Sequence, residues 1–435
     1  MDGTGSTGTT GSDDEADTSA AARTALAGAR AEDADPPAPA RLPWWVAPLA
    51  VYLVSRAWTA VLLLVVAARQ PVARDRWWPG PHPPYDAFVG RWWDGWWYGR
   101  IATGGYPPGL PVDDDGSVVM NEWAFFPLFP QLGRAVMAAT GGSWEVVAPT
   151  LSLALGAAAV LVVDRVVRHG APAAVAAWPG LPVASVAVLC AYPAAVVLQT
   201  AYTESLALLL LASALLLVVR RPYLLASLPV LALGLTRSVA APLAVVVLVH
   251  AWSRAREEGR LPRADLVRLG VLLGAAAVST ALWPLWVARA TGRADAFVAT
   301  QEAWRAGEDF GLFAGWSRLA AHGALGAVVG AAAVVATGWL LTRPAARRLG
   351  PVLLTWLVAY LVYLAAVTDL ISSVFRFLLL AFPLAPLVLG LVTRTRTRRL
   401  LWAAAVLVVL LVGQAVWVWT VWRFTPGESG FLVAP

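Results

Sequence analysis

From Trp44 onward the chain reads as apolar runs of roughly twenty residues, each long enough to cross a ~30 Å hydrocarbon layer as a helix. Short polar or arginine-bearing interruptions separate them. The pattern predicts spans at Trp44–Ala68, Trp144–Val163, Ala173–Leu198, Ser205–Val219, Leu266–Ala288, Leu319–Leu341, Val352–Val367, Phe375–Val392 and Leu400–Trp422. Between Pro222 and His250 length alone fits one tilted helix, but the arginines argue otherwise. Arg220/Arg221 and the cluster from Arg254 to Arg268 both resemble cytoplasmic anchors, so the chain between them must cross an even number of times. The break at hand is Thr236-Arg237-Ser238. It yields two short helices meeting near Arg237, a turn that surrounding protein has to enclose. The expected architecture is an all-α, polytopic transmembrane helical bundle of about eleven crossings, with the N-terminus cytoplasmic and the C-terminus outside.

The polar segments divide the chain further. Residues 1–42 are rich in Gly, Ser, Thr, Ala and acids and close on Pro36, Pro37 and Pro39, which predicts a disordered cytoplasmic tail. That tail lacks a basic-then-apolar start, so the first span is expected to remain as an uncleaved anchor. Residues 43–424 form the membrane domain and 425–435 a short outer tail. Within the domain, 69–143 is a long extracytoplasmic loop. Phe125-Phe126-Pro127-Leu128-Phe129-Pro130 leads in it to an amphipathic piece ending near Ala139, which is expected to lie at the interface.

Composition agrees with this layout. Hydrophobic residues make up 59% of the chain and charged ones 14%, with a mean hydropathy of +0.65, which excludes an ordinary soluble globule. The net charge of +6 does not indicate nucleic acid, because every basic residue is an arginine and the arginines gather at the ends of apolar runs. A lysine-free chain heavy in Ala, Val, Leu and Gly points to a GC-rich bacterial genome, and hence to the plasma membrane. The single Cys190 and the scattered His82, His169, His250 and His322 show no metal-ligand spacing. No cofactor is expected, with carboxylates left as the donors open to a divalent metal. The run Asp113-Asp114-Asp115 reads either as a solvated face or as such a metal site.

The richest chemistry lies in Arg91-Trp92-Trp93-Asp94-Gly95-Trp96-Trp97-Tyr98-Gly99-Arg100, continuing to Gly104-Gly105-Tyr106-Pro107. Tryptophan and tyrosine gather at membrane interfaces in any case. A lone carboxylate among rings and bare backbone also suits a sugar, whose apolar face stacks on rings while the acid takes a hydroxyl proton. The predicted topology collects further ionisable groups at the same outer face. Glu122 lies in the first outer loop, Glu204 in the turn Tyr202-Thr203-Glu204-Ser205, and Arg237 at the hairpin tip. Asp369 and Arg376 flank the start of a span. Ionisable groups at membrane depth are costly and need a partner or a task. One reading pairs Glu204 with Arg237, or Asp369 with Arg376, only to hold helices together. The other has arginine forks grip a lipid phosphate while a carboxylate serves as general base.

Five pieces occurring in order carry a resemblance. They are Trp93-Asp94-Gly95-Trp96-Trp97-Tyr98 with Gly105-Tyr106, Ala124 to Pro130, Tyr202-Thr203-Glu204-Ser205-Leu206, Leu235-Thr236-Arg237-Ser238, and Arg376 to Pro383. Together they span about Trp44 to Leu389. The chain resembles the GT-C superfamily of membrane glycosyltransferases, and within it the bacterial relatives of the PIG-V (GPI mannosyltransferase 2-like) mannosyltransferases. The resemblance implies a polyprenyl-phosphate-mannose donor used on the outer face of the membrane, with Asp94 as catalytic base. Around Asp94, the expected substrate-binding set is Trp93, Trp96, Tyr98, Tyr106, Glu122, Trp123, Glu204, Arg237 and Arg376. The family usually follows its Thr-Arg element with a small polar residue and glycine, where this chain has Val239-Ala240-Ala241. The acceptor expected in a bacterium is a cell-envelope lipid, glycan or protein. Membrane lipids complete the expected partners. The rival readings are a polytopic transporter or lipid-linked sugar flippase, and an inactive assembly scaffold.

Overall fold

The structure, a computed structural model, describes residues 2–4, 42–71, 78, 80–305, 311–321, 323–368, 373–392 and 395–424. Most of the expected N-terminal tail, Asp369 and the outer tail 425–435 lie outside the described residues. Contacts divide the chain into Met1–Val46 and Ala47–Pro435, and the second unit is the helical body. Its helices are α1 (Val46–Ala67), α2 (Tyr85–Arg91), α3 (Asp94–Gly104), α4 (Leu128–Thr140), α5 (Trp144–Gly170), α6 (Pro172–Ala177), α7 (Leu181–Ala191), α8 (Glu204–Arg220), α9 (Tyr223–Gly234), α10 (Ala241–Glu258) and α11 (Arg263–Thr291). They continue as α12 (Ala296–Ala303), α13 (Ala314–Ala321), α14 (Ala324–Thr342), α15 (Pro344–Arg347), α16 (Gly350–Val367), α17 (Ser373–Phe377), α18 (Leu384–Leu389) and α19 (Arg396–Val421).

The class is all-α, and among the described residues α1, α5, α11, α14, α16 and α19 are long and apolar enough to cross a membrane. A seventh crossing results if α7 and the 3-10 turn Pro193–Gln199, bent by 88°, are taken as one span. The remaining runs that the apolar pattern marks as spans are shorter or broken. Ala173–Leu198 divides into α6, α7 and the 3-10 turn, because Pro182 and Pro193 start new segments and the residue before a proline is pushed out of helix; Tyr192 has φ −56°, ψ 140°. Phe375–Val392 divides into α17, the 3-10 turn Leu378–Ala381 and α18, where Pro383 and Pro386 withhold backbone donors. Leu319–Leu341 parts at Gly323, whose φ of 87° ends α13 before α14 begins. The stretch read as a polar outer loop is itself helical, containing α2 and α3.

The hairpin read from the arginines is present. Helices α9 and α10 are joined by Leu235–Ala240, and their far ends meet through ions: Arg221 lies 2.9 Å from Glu258, whose carboxylate also pairs with Arg254 at 2.7 Å. Arg254 reaches Asp265 at 2.9 Å, so the beginnings of α9 and α11 and the end of α10 share one end of the bundle. With 12 residues, α9 rises about 18 Å, well short of the hydrocarbon thickness. The exposed backbone of that turn is satisfied by protein. Leu128 N–H at the start of α4 donates to Leu235 O at 2.9 Å, and the Tyr363 hydroxyl donates to Ser238 O.

Packing runs mainly between α5 and α8, between α9 and both α8 and α11, and between α10 and both α16 and α11. A buried arginine on α1 stabilises the bend after α7. Arg56 donates to Ala195 O at 2.6 Å and Cys190 O at 3.1 Å, while Gln414 on α19 donates to Tyr192 O at 2.9 Å. Carbonyls freed at a bend are expensive in an apolar interior, and these two side chains satisfy them. The bend leads into residues 200–204, of which Thr203 lines a polar cavity.

Candidate active site

Four stretches far apart in sequence supply the site's charges. Asp94 opens α3, where the positive end of a helix favours an acid. The reversal from α2 into α3 is made at Trp93, a non-glycine residue at φ 47°, ψ −112°. Close approach then requires glycine: a Cβ on Gly95 would meet Gly90 O at 2.6 Å and Ala201 at 3.2 Å. The indole N–H of Trp144 donates to Gly90 O and Gly95 O, both at 3.0 Å, and Ala201 N–H donates to Val89 O at 2.9 Å. Asp94 is thereby fixed beside the start of α8, whose first residue is Glu204. Arg237 comes from the hairpin turn, and Arg376 from α17.

These groups form one chain of ion pairs. The Arg376 guanidinium donates to Asp94 Oδ2 and lies 3.5 Å from Glu204 Oε1. Arg237 pairs with the same Glu204 oxygen and reaches Thr203 Oγ1 at 3.4 Å. The Glu204 side chain is wholly buried, whereas Asp94, Arg237 and Arg376 are 16%, 15% and 12% exposed. Rings cover the cations: Phe377 lies 4.5 Å from Arg237 and 5.1 Å from Arg376, and Tyr202 lies 5.2 Å from Arg376. Burial works against the charge on Arg376, and the carboxylates of Asp94 and Glu204 beside it offset that cost. Burial, reinforced by Asp94, pushes the Tyr98 phenol up, so it remains a neutral donor; its hydroxyl faces Thr203 Oγ1 at 3.5 Å.

Asp94, Tyr98, Arg237 and Arg376 line a cavity of about 480 Å³, together with Thr203, Thr236 and Ser238. The lining is also aromatic and aliphatic, with Phe126, Phe297, Val239, Leu364 and Val367. Gln301, Trp304 and Arg305 close another side, joined by Tyr360 and Tyr363 of α16. The sequence reading does not single out Gln301, Arg305, Tyr360 or Tyr363. The two tyrosines were legible as polar tips three residues apart in an otherwise apolar span, and Trp304 marked the loop that brings Gln301 and Arg305.

The other residues expected around Asp94 are placed elsewhere. Trp93, Trp96, Tyr106, Glu122 and Trp123 are not among the cavity's lining. Tyr106 stacks on Trp123 at 4.6 Å, and both pack on Trp283. Trp96 packs edge-on against Trp97 at 4.7 Å and beneath Arg100 at 4.8 Å. Trp93 lies against Trp92, with ring centroids 5.9 Å apart. Glu122 is buried in a 2.6 Å pair with Arg100. These residues pack on one another and on neighbouring rings and do not line the cavity. Glu204 is also absent from the lining and acts on the arginines from behind. In the Asp113–Asp115 run, Asp113 Oδ1 accepts from Asp115 N–H at 3.2 Å and Ser117 N–H at 2.8 Å, the bonding of a local turn.

The chain matches no protein-family model and no curated protein. Among solved structures it is similar to the crystal structure of the Archaeoglobus fulgidus oligosaccharyltransferase in complex with Zn and sulfate. The identity is 15% and the TM-score 0.42, over 88% of this chain and 57% of that one. This chain therefore spans less than two thirds of that protein's length, and a superposition this loose carries neither fold family nor activity across.

Proposed function

We propose that the protein is an integral membrane glycosyltransferase that moves a sugar from a polyprenyl-phosphate donor to a hydroxyl of a cell-envelope lipid, glycan or protein on the outer face of the bacterial plasma membrane. The resemblance of its motifs to the PIG-V-like mannosyltransferases makes mannose the sugar. The observation that carries the reading is the meeting of two carboxylates and two guanidiniums, from four separate elements, at a cavity lined also by apolar and aromatic side chains. An amphiphile with an anionic head and an isoprenoid tail matches both kinds of side chain.

In the reaction Asp94 removes the acceptor's hydroxyl proton while the oxygen attacks the anomeric carbon. Arg376 and Arg237 stabilise the phosphate as it departs, which is where fixed charge contributes most. Glu204 holds both arginines in place, and Tyr98 donates to a sugar or acceptor oxygen. The test is transfer of radiolabelled mannose from polyprenyl-phosphate mannose to envelope acceptors by the protein in proteoliposomes. Asp94→Asn should lower turnover by at least about a hundredfold, the usual scale of a general base, while leaving the protein folded. Unchanged turnover removes Asp94 from the chemistry. Passage of labelled donor across the bilayer without transfer marks the protein as a flippase.

A further inference from the structure

The cation meant for the leaving phosphate in the proposed transfer, the reading on which this inference rests, is already bound to the base. Arg376 Nη1 donates to Asp94 Oδ2, and the same nitrogen lies 3.5 Å from Glu204 Oε1, which also pairs with Arg237. Within this cluster two guanidiniums and two carboxylates balance, so Arg376 and Arg237 are already neutralised before an anion arrives, while Arg305 lines the same cavity outside the cluster. Arg376 nevertheless keeps donors in hand. Both carboxylates are served by Nη1, and its buried Nε–H meets no acceptor among the described residues. A guanidinium presents five N–H groups in a fixed fork, enough to turn from one oxyanion to another without losing Glu204.

Following the charge through the reaction shows when that turn is favourable. The acceptor O–H proton passes to an Asp94 oxygen, a bond forms from the acceptor oxygen to the anomeric carbon, and the bond from that carbon to the phosphate oxygen breaks. The bonding pair stays on the phosphate. Asp94 goes from −1 to neutral as the phosphate goes from a monoanionic diester to a monoester bearing one more negative charge. The charge that Arg376 had been balancing thus vanishes at one wall of the cavity and reappears beside it. Asp94 and Arg376 both line that space, while Glu204 lies behind it.

We propose that Arg376 is handed over from Asp94 to the leaving phosphate during transfer, with Glu204 as the fixed tether, and that loss of the Asp94 proton to solvent re-ionises the base, which recaptures the arginine and expels the lipid phosphate product. Arg376 is then the counter-charge of the base before transfer and of the leaving group after it. While the base is charged, a phosphate monoester has to compete with Asp94 for its ligand. Once the base is neutral, it does not.

Asp94→Asn imitates the protonated base and makes this measurable by equilibrium binding to the full chain in nanodiscs. The probes are farnesyl monophosphate and its methyl diester. Asp94→Asn should bind the monophosphate roughly tenfold more tightly than the wild type, the scale of one hydrogen bond to a charged group. The diester should gain less. Arg376→Gln in the Asp94→Asn background should erase the gain, and Arg376→Lys should retain part of it. Asp94→Ala serves as the second neutral variant should Asn fail to fold. Equal or weaker monophosphate binding by the neutral variants, a gain that survives Arg376→Gln, or binding by none of the proteins overturns the handover. Retained sugar transfer by Asp94→Asn overturns the transferase role of Asp94 instead, so the two failures are separable.

Discussion

At the scale of single residues, Glu204 has the greatest consequence and the least contact with the open cavity. Its wholly buried carboxylate sits between two arginines. Removing one partner of a buried pair leaves a charge that water cannot reach. Glu204→Gln is therefore expected to cost roughly 3 kcal/mol of stability, read as a shift in denaturant unfolding of the detergent-solubilised protein. An exposed pair such as Arg293–Asp295, at 43% and 59% exposure, should leave stability essentially unchanged when broken, because water screens it. Comparable losses at both places would show that the cluster is not insulated from solvent. The four charged residues were legible in the sequence because ionisable groups are conspicuous in an apolar chain. One pairing was legible too, since Glu204 with Arg237 was named from the sequence and is present, but the partners of Arg376 were not. Nearness in sequence gives Arg376 a flanking acid, Asp369, whereas among the described residues it takes Asp94 and Glu204.

At the scale of elements, the site depends on how a tight reversal is held. One indole N–H of Trp144 binds the carbonyls of both Gly90 and Gly95, across the turn that aims Asp94. Trp144→Phe keeps the ring and removes the donor. It should cost about 1–3 kcal/mol and, by releasing Asp94, lower turnover further than that loss of stability explains. Full turnover at reduced stability would mean that the clip secures the fold without aiming the acid. In the sequence Trp144 reads only as an interfacial tryptophan at the start of a span, since its role is set by carbonyls some fifty positions earlier. The broken segments behave alike. Pro383 and Pro386 are visible in the sequence, yet the apolar run around them reads as one crossing, because hydropathy does not record which backbone donors are missing.

At the scale of the whole molecule, the ends of the bundle are chemically distinct. Arg221, Arg254, Glu258 and Asp265 interlock at one end of the α9–α10 hairpin, and Arg237 joins the Asp94 cluster at the other. The proposed orientation puts the first end in the cytoplasm. It can be read with single cysteines, because the native Cys190 is buried. In spheroplasts a membrane-impermeant maleimide should label the exposed position in Asp114→Cys, while Glu257→Cys should label only after permeabilisation. The opposite labelling would place the cavity in the cytoplasm and remove an outer-face acceptor from consideration.

Hydropathy and arginine placement by themselves determined that the chain is an all-α membrane bundle with a hairpin folded back at Arg237. Those properties follow from the solvent, which penalises every unpaired polar group along the chain whatever its neighbours. Which polar groups meet, and which of the many rings face open space, was decided only by tertiary structure. Pairing in a low-dielectric interior depends on through-space distances of a few ångströms, and the linear order of residues fixes none of them. Trp96, Tyr106 and Trp123 look no different in the sequence from Tyr98, and only packing set them against other rings and left Tyr98 at the cavity wall.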